Sequence, residues 1–152
     1  MKLHELTALT ALAIASPAVA QPSADNAAGE ARAVVDRFTE SLARRDVERL
    51  AALFATDAAV LESGRYEGLI GDYVAHHLGP ELAAFDSFQI QNRKVDVQVV
   101  GDVAWAREEY DYAIRAKGRV GEIQRRCVSS VVLKRVGGTW RIVQLHLSSR
   151  AQ

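Results

Sequence analysis

Near residue 86 the chain changes its hydrophobic period, and that change limits the folds open to it. Before that point apolar residues recur at spacings of three and four; after it they alternate. Ala31, Val34, Val35, Phe38 and Leu42 lay one apolar stripe along a helix. Asp46 is placed to cap a second short helix whose apolar positions are Val47, Leu50, Leu53 and Phe54. "AAVLE" reads as a short strand and "SGRYEG" as a turn. "LIGDYVAHHL" reads as a third helix that stops at Gly79, with Pro80 just beyond, and "PELAAF" adds one more turn. Period two then predicts strands over 87–100, 102–116, 122–136 and 139–149, joined by "VGDV", "AKGRVGE" and "VGGT". Helices followed by an antiparallel meander make an α+β domain: three N-terminal helices packed over the concave face of a curved antiparallel sheet. Such a cone encloses space for a pocket.

The N-terminus is read separately. "MKLHEL", the apolar "TALTALAIA" and the small-residue ending "SPAVA" have the form of a secretory signal over residues 1–20, cut between Ala20 and Gln21. The apolar run is too short to span a bilayer, which takes roughly 20 residues. Export to the periplasm or beyond is therefore expected. "QPSADNAAG" (21–29) reads as a disordered leader, which leaves 30–150 as a single domain. Lysine plus arginine equals aspartate plus glutamate at 19 each, so no electrostatic case exists for a nucleic-acid or anionic-membrane partner. The single cysteine, Cys127, cannot form an internal disulfide and sits in the alternating "RRCVSSVVL" as a buried thiol. No nucleophile elbow, phosphate loop or dinucleotide fingerprint is present, so the expectation is chemistry with no cofactor.

His146 draws attention because it lies among Ile142, Val143, Leu145 and Leu147, where a valine would pack better. Strict alternation places it, with Ser148, on the face of Trp140 and Ile142, inside the cone. Two readings stay open there: a buried, hydrogen-bonded histidine, or an acid/base or ligand contact. His77 shares a helical stripe with Ile70, Tyr73 and Val74, whereas His76 is the more exposed of the pair. His77, Glu81 and His146 have the makings of a two-histidine, one-carboxylate metal set; the Gly79–Pro80 break spoils the spacing, and no metal is expected. Tyr73, Tyr110 and Tyr112 offer aromatic walls with polar tips, the tyrosine face of 102–116 being read as inward. Phe38 and Trp140 are further candidates for the wall.

The stretches "AVVDRFTESLARRDVERLAALFATDAAVLESG" and "GGTWRIVQLHLSS" resemble the NTF2-like superfamily, in its SnoaL-like and ketosteroid isomerase-like branches. With their spacing they cover roughly residues 30–150. The resemblance implies the cone fold, and often a homodimer formed through the open sheet face. It also implies functions that range from isomerases and dehydratases to proteins that only bind. The position of the ketosteroid isomerases' carboxylate base is held by Glu62. Their tyrosine donor is replaced by Phe38, and their carboxylic acid donor falls near Val131 or Val132. The base survives and the oxyanion hole of that family does not. Three functions remain: acid/base catalysis on a small hydrophobic molecule by His146 with either Glu62 or His77; binding of such a molecule without conversion; or a dimeric interaction role.

Overall fold

The computed structural model describes residues 24–152; the secretory signal expected over 1–20, with its expected cut site, falls outside the described residues. Residues 24–29, expected as leader, are instead the first turns of α1 (Ala24–Arg44). Alanines favour the helix, Ala27 is buried, and Asn26 Nδ2 donates to Glu30 Oε1 one turn on at 3.3 Å. The predicted stripe Ala31, Val34, Val35, Phe38 and Leu42 is buried as one face. The helix ends with Arg45 in the left-handed region (φ 60°), where Arg45 N–H reaches Leu42 O and Asp46 N–H reaches Ser41 O, closing the last turn. Asp46 then caps α2 (Val47–Ala51) by accepting from the Arg49 amide at 3.0 Å.

That second helix is shorter than the sequence suggests, because Phe54 opens a strand. β1 (Phe54–Glu62) turns at Ser63–Gly64, both at positive φ, into β2 (Arg65–Leu69). Two central residues at positive φ make the tight hairpin connection that matches strand twist, so "SGRYEG" is a hairpin and not merely a turn. The meander follows as β3 (Phe85–Val100), β4 (Val103–Ala116), β5 (Ile123–Val136) and β6 (Thr139–Ala151), within three residues of the predicted bounds. The six strands form one open sheet in the order β2-β1-β6-β5-β4-β3, antiparallel throughout except for β1 beside β6. The core lies between α1 and the concave face, on Val35, Phe38, Leu50, Val60, Leu133, Ile142 and Leu145. Among the described residues no helix is long and apolar enough to cross a membrane.

The third helix does not stop at Gly79. Residues 70–83 stay helical as an α-turn (Ile70–Tyr73), a π-turn (Val74–Leu78) and a further α-helical turn (Gly79–Ala83). Pro80 explains the wide turn. It has no N–H for the carbonyl four residues back, and its ring would collide with that carbonyl in a regular helix. Gly79 lets the turn close: its N–H bonds Val74 O, and a Cβ at this position would lie 2.6 Å from that oxygen. Gly79→Ala is therefore expected to destabilise the protein by about 1–3 kcal/mol, the usual cost of forcing extra atoms into a packed site. Thermal unfolding of the variant checks this, and an unchanged melting temperature would count against the role given to Gly79.

Candidate functional site

Which side chains reach the concave face is decided by period two and by two bulges. In β6, Leu133 pairs with Ile142 but Val132 pairs with Gln144, so Val143 is an extra residue. One inserted residue reverses the alternation. Trp140 and Ile142 point inward before it; Leu145, Leu147 and Ser149 are the covered positions after it. His146 and Ser148 consequently lie exposed on the outer face, His146 beside Leu61 and opposite Ser130. This corrects the expectation that both line the cone. His146 is also across the sheet from His77 and Glu81, so the three do not converge. Among the described residues, no three His, Cys, Asp or Glu side chains are arranged to hold a metal ion.

In β3, Asn92 (φ 54°) and Arg93 together face the single residue Tyr110, with Gln91 opposite Asp111 and Lys94 opposite Glu109. This bulge brings Arg93 to the concave side. There it meets Glu108, a fully buried carboxylate. Arg93 Nε donates to Glu108 Oε1 at 2.9 Å and Nη1 to Asp36 Oδ1 of α1 at 2.7 Å. Thr39 and Ser129 hydroxyls complete the shell of Glu108 at 3.1 and 3.0 Å.

The register lays out the concave face in rows. Glu108, Ser129, Leu147 and Glu62 form one; Tyr110, Cys127 and Ser149 form the next; Tyr112 and Arg125 begin the third. Above the second and third rows, under the third helix, lies a cavity that gives the centre of a water molecule about 70 Å³, space for several waters or one small organic molecule. Glu62, Tyr73, Tyr110 and Tyr112 line it together with Phe88, Leu82, Cys127 and Ser149. Leu42 is the residue of α1 that reaches it. Phe38, one turn earlier, is instead packed edge-on to Phe54 at 5.9 Å in the core. Trp140 is likewise core, at the opposite end of the sheet, with the Arg135 guanidinium 4.6 Å above its ring. The narrow end of the cone is filled, and both residues therefore lie away from the cavity.

Polar groups cluster at the rim. Tyr73 O–H donates to Glu62 Oε2 at 2.7 Å, and the His77 ring stacks on Tyr73 with centroids 5.2 Å apart. His77 Nε2 lies 3.4 Å from Glu62 Oε2 and 3.6 Å from Glu81 Oε1; Nδ1 lies 3.8 Å from Glu67 Oε2. Burial, then the charge of Glu62 and its hydrogen bond, push the Tyr73 pKa far above that of a free phenol, so Tyr73 remains a donor. Burial also raises the Glu81 carboxyl; His77 opposes this, while Glu62 and Glu67 add to it. On the floor, burial raises the Cys127 thiol, against a hydrogen bond with Tyr110. Tyr112 stacks on Phe88 at 5.1 Å and donates to Ser149 Oγ at 3.1 Å. Arg93, Arg125 and Ser149 escaped the sequence reading. The phase shift of apolar residues from 88 and 90 to 95 and 97, and from 140 and 142 to 145 and 147, is the signal that finds both bulges.

The same fold recurs in proteins of very different sequence. A candidate dehydratase of the NTF2-like family from Streptomyces avermitilis is 18% identical, with 84% of this chain and 99% of that one covered at a TM-score of 0.73. An NTF2-like superfamily protein from Salmonella enterica serovar Typhimurium reaches 0.75 at 16% identity, over 84% and 94% of the two chains. A candidate scytalone dehydratase from Novosphingobium aromaticivorans reaches 0.71 at 16% identity, over 80% and 83%. No curated protein sequence matches the chain. Residues 31–152 match the model of the SnoaL-like domain, and the chain belongs to that family, on the cone fold of the NTF2-like superfamily.

Proposed function

We propose that the protein carries out proton transfer without a cofactor on a small, mostly apolar molecule held in the cavity, with Glu62 as the base. One observation carries this reading. The Glu62 carboxylate opens on a cavity with aromatic and aliphatic walls while Tyr73 and His77 hold it from the rim. A fixed carboxylate beside a small, largely apolar space is the arrangement general-base chemistry needs. His77 and Glu81 are placed to relay the proton between the rim and water. The candidate dehydratases among its structural relatives accord with isomerase- or lyase-type chemistry. The test is solvent exchange: cyclohexanone incubated with the protein in deuterium oxide loses its α-proton NMR signals faster than in buffer. A rate equal to that of buffer would oppose the proposal.

A second reading, binding without conversion, draws on the apolar Phe38, Val131 and Val132 at the positions of the isomerase donors. Export, supported by residues 1–20, belongs to the proposal, as does a homodimer through the outer sheet face, where Trp105 and Val128 are exposed.

A further inference from the structure

A carboxylate base alone enolises a ketone only slowly; a donor to the oxygen that gains charge lowers the barrier. The family's donor positions are apolar here, but the third row of the concave face supplies another. Arg125 Nε donates to Ser149 Oγ at 3.0 Å, its Nη2 donates to Ser149 O at 3.1 Å, and Ser149 Oγ lies 3.1 Å from the Tyr112 hydroxyl. Arginine has only donors, so Ser149 Oγ must accept from it, and the serine proton is left to be given elsewhere. With the cavity empty of a carbonyl, Tyr112 donates to Ser149. When a carbonyl oxygen enters, the Tyr112 proton turns to it and the Ser149 proton turns to the Tyr112 oxygen. A guanidinium at the far end polarises this chain of donors. Phe88 stacked on Tyr112 fixes the ring, and Glu62 lines the same cavity.

We propose that Tyr112, backed by Ser149 and Arg125, is the electrophilic donor of the site and that its substrates are small apolar carbonyl compounds. The proposal rests on Glu62 as base. The Glu62 carboxylate takes an α-proton, the C–H electron pair becomes the C=C bond, and the carbonyl π pair moves to oxygen, where Tyr112 donates. Return of a proton from Glu62 to carbon regenerates both groups.

Infrared spectroscopy of carbonyl-13C cyclohexanone tests the donor apart from the base. In the wild-type protein a bound C=O band is expected below the frequency of the free ketone. Tyr112→Phe should return it to the free position and slow α-exchange roughly 10²–10³-fold, the effect of losing one such donor. Ser149→Ala and Arg125→Gln should give intermediate shifts, and they decide the matter if Tyr112→Phe does not fold. Glu62→Gln should keep the shifted band and lose exchange; exchange that survives in it defeats the base and leaves the band to judge the donor. A band at the wild-type position in the Tyr112, Ser149 and Arg125 variants, or no bound band in the wild-type protein up to the solubility of the ketone, overturns the proposal.

Discussion

Arg93→Met will lower the free energy of unfolding by about 3–5 kcal/mol, the cost of stranding one partner of a buried ion pair. Glu108 has no exposed surface, and Arg93 meets it with both Nε and Nη2, the latter at 2.7 Å. Without the guanidinium, the Thr39 and Ser129 hydroxyls are the carboxylate's remaining hydrogen-bond donors among the described residues. Burial alone would lower the pKa of Arg93, but Asp36 and Glu108 more than offset it and the net shift is upward, as expected of a cation its surroundings hold charged. The same side chain ties Asp36 of α1 to the β3 bulge, so the loss also loosens the helix over the cone. The pair Arg93→Met, Glu108→Met removes both charges and should recover most of the stability in urea unfolding. A double variant no more stable than Arg93→Met would show that the loss comes from something other than an unpaired carboxylate.

Glu62→Gln should reduce solvent exchange into cyclohexanone roughly 10²–10⁴-fold, the usual contribution of a positioned general base. Glutamine has nearly the same shape, and its carbonyl oxygen can still accept from Tyr73, so the melting temperature should barely change. What is lost is a basic oxygen facing the cavity. His146→Gln serves as the control. That residue is exposed on the outer face beside Leu61, and its replacement should leave exchange untouched. Exchange that survives in Glu62→Gln would remove the base from the account.

Much of this was legible from the chain alone. Period two past residue 86 locates all four long strands, and the alternation of β4 puts its tyrosine face inward and Trp105 on the other side. Glu62, Tyr73, Tyr110 and Tyr112 all reach the cavity. The sequence reading failed where one residue resets a periodicity. Val143 reverses β6, exchanging His146 and Ser148 for Leu147 and Ser149; Asn92 and Arg93 do the same in β3. Gly79 and Pro80, the usual signs of a helix end, here build a π-turn because Leu78, Gly79 and Leu82 continue to pack or bond along the same helix. Phe38 and Trp140 show the other limit: a pattern says that a side chain points inward, but not whether that part of the interior is filled. The Arg125–Ser149–Tyr112 chain joins residues 37 positions apart, and only strand register brings them together.

The most direct test of the cavity as the functional site uses the protein's four tyrosines, labelled with 13C at the ring carbon bearing the hydroxyl. Three of them line the cavity, while Tyr66, on β2, is 64% exposed and away from it. Addition of cyclohexanone should shift the signals of Tyr73, Tyr110 and Tyr112 and leave that of Tyr66 in place. A spectrum in which the three cavity signals stay fixed, or in which only Tyr66 moves, would contradict the account.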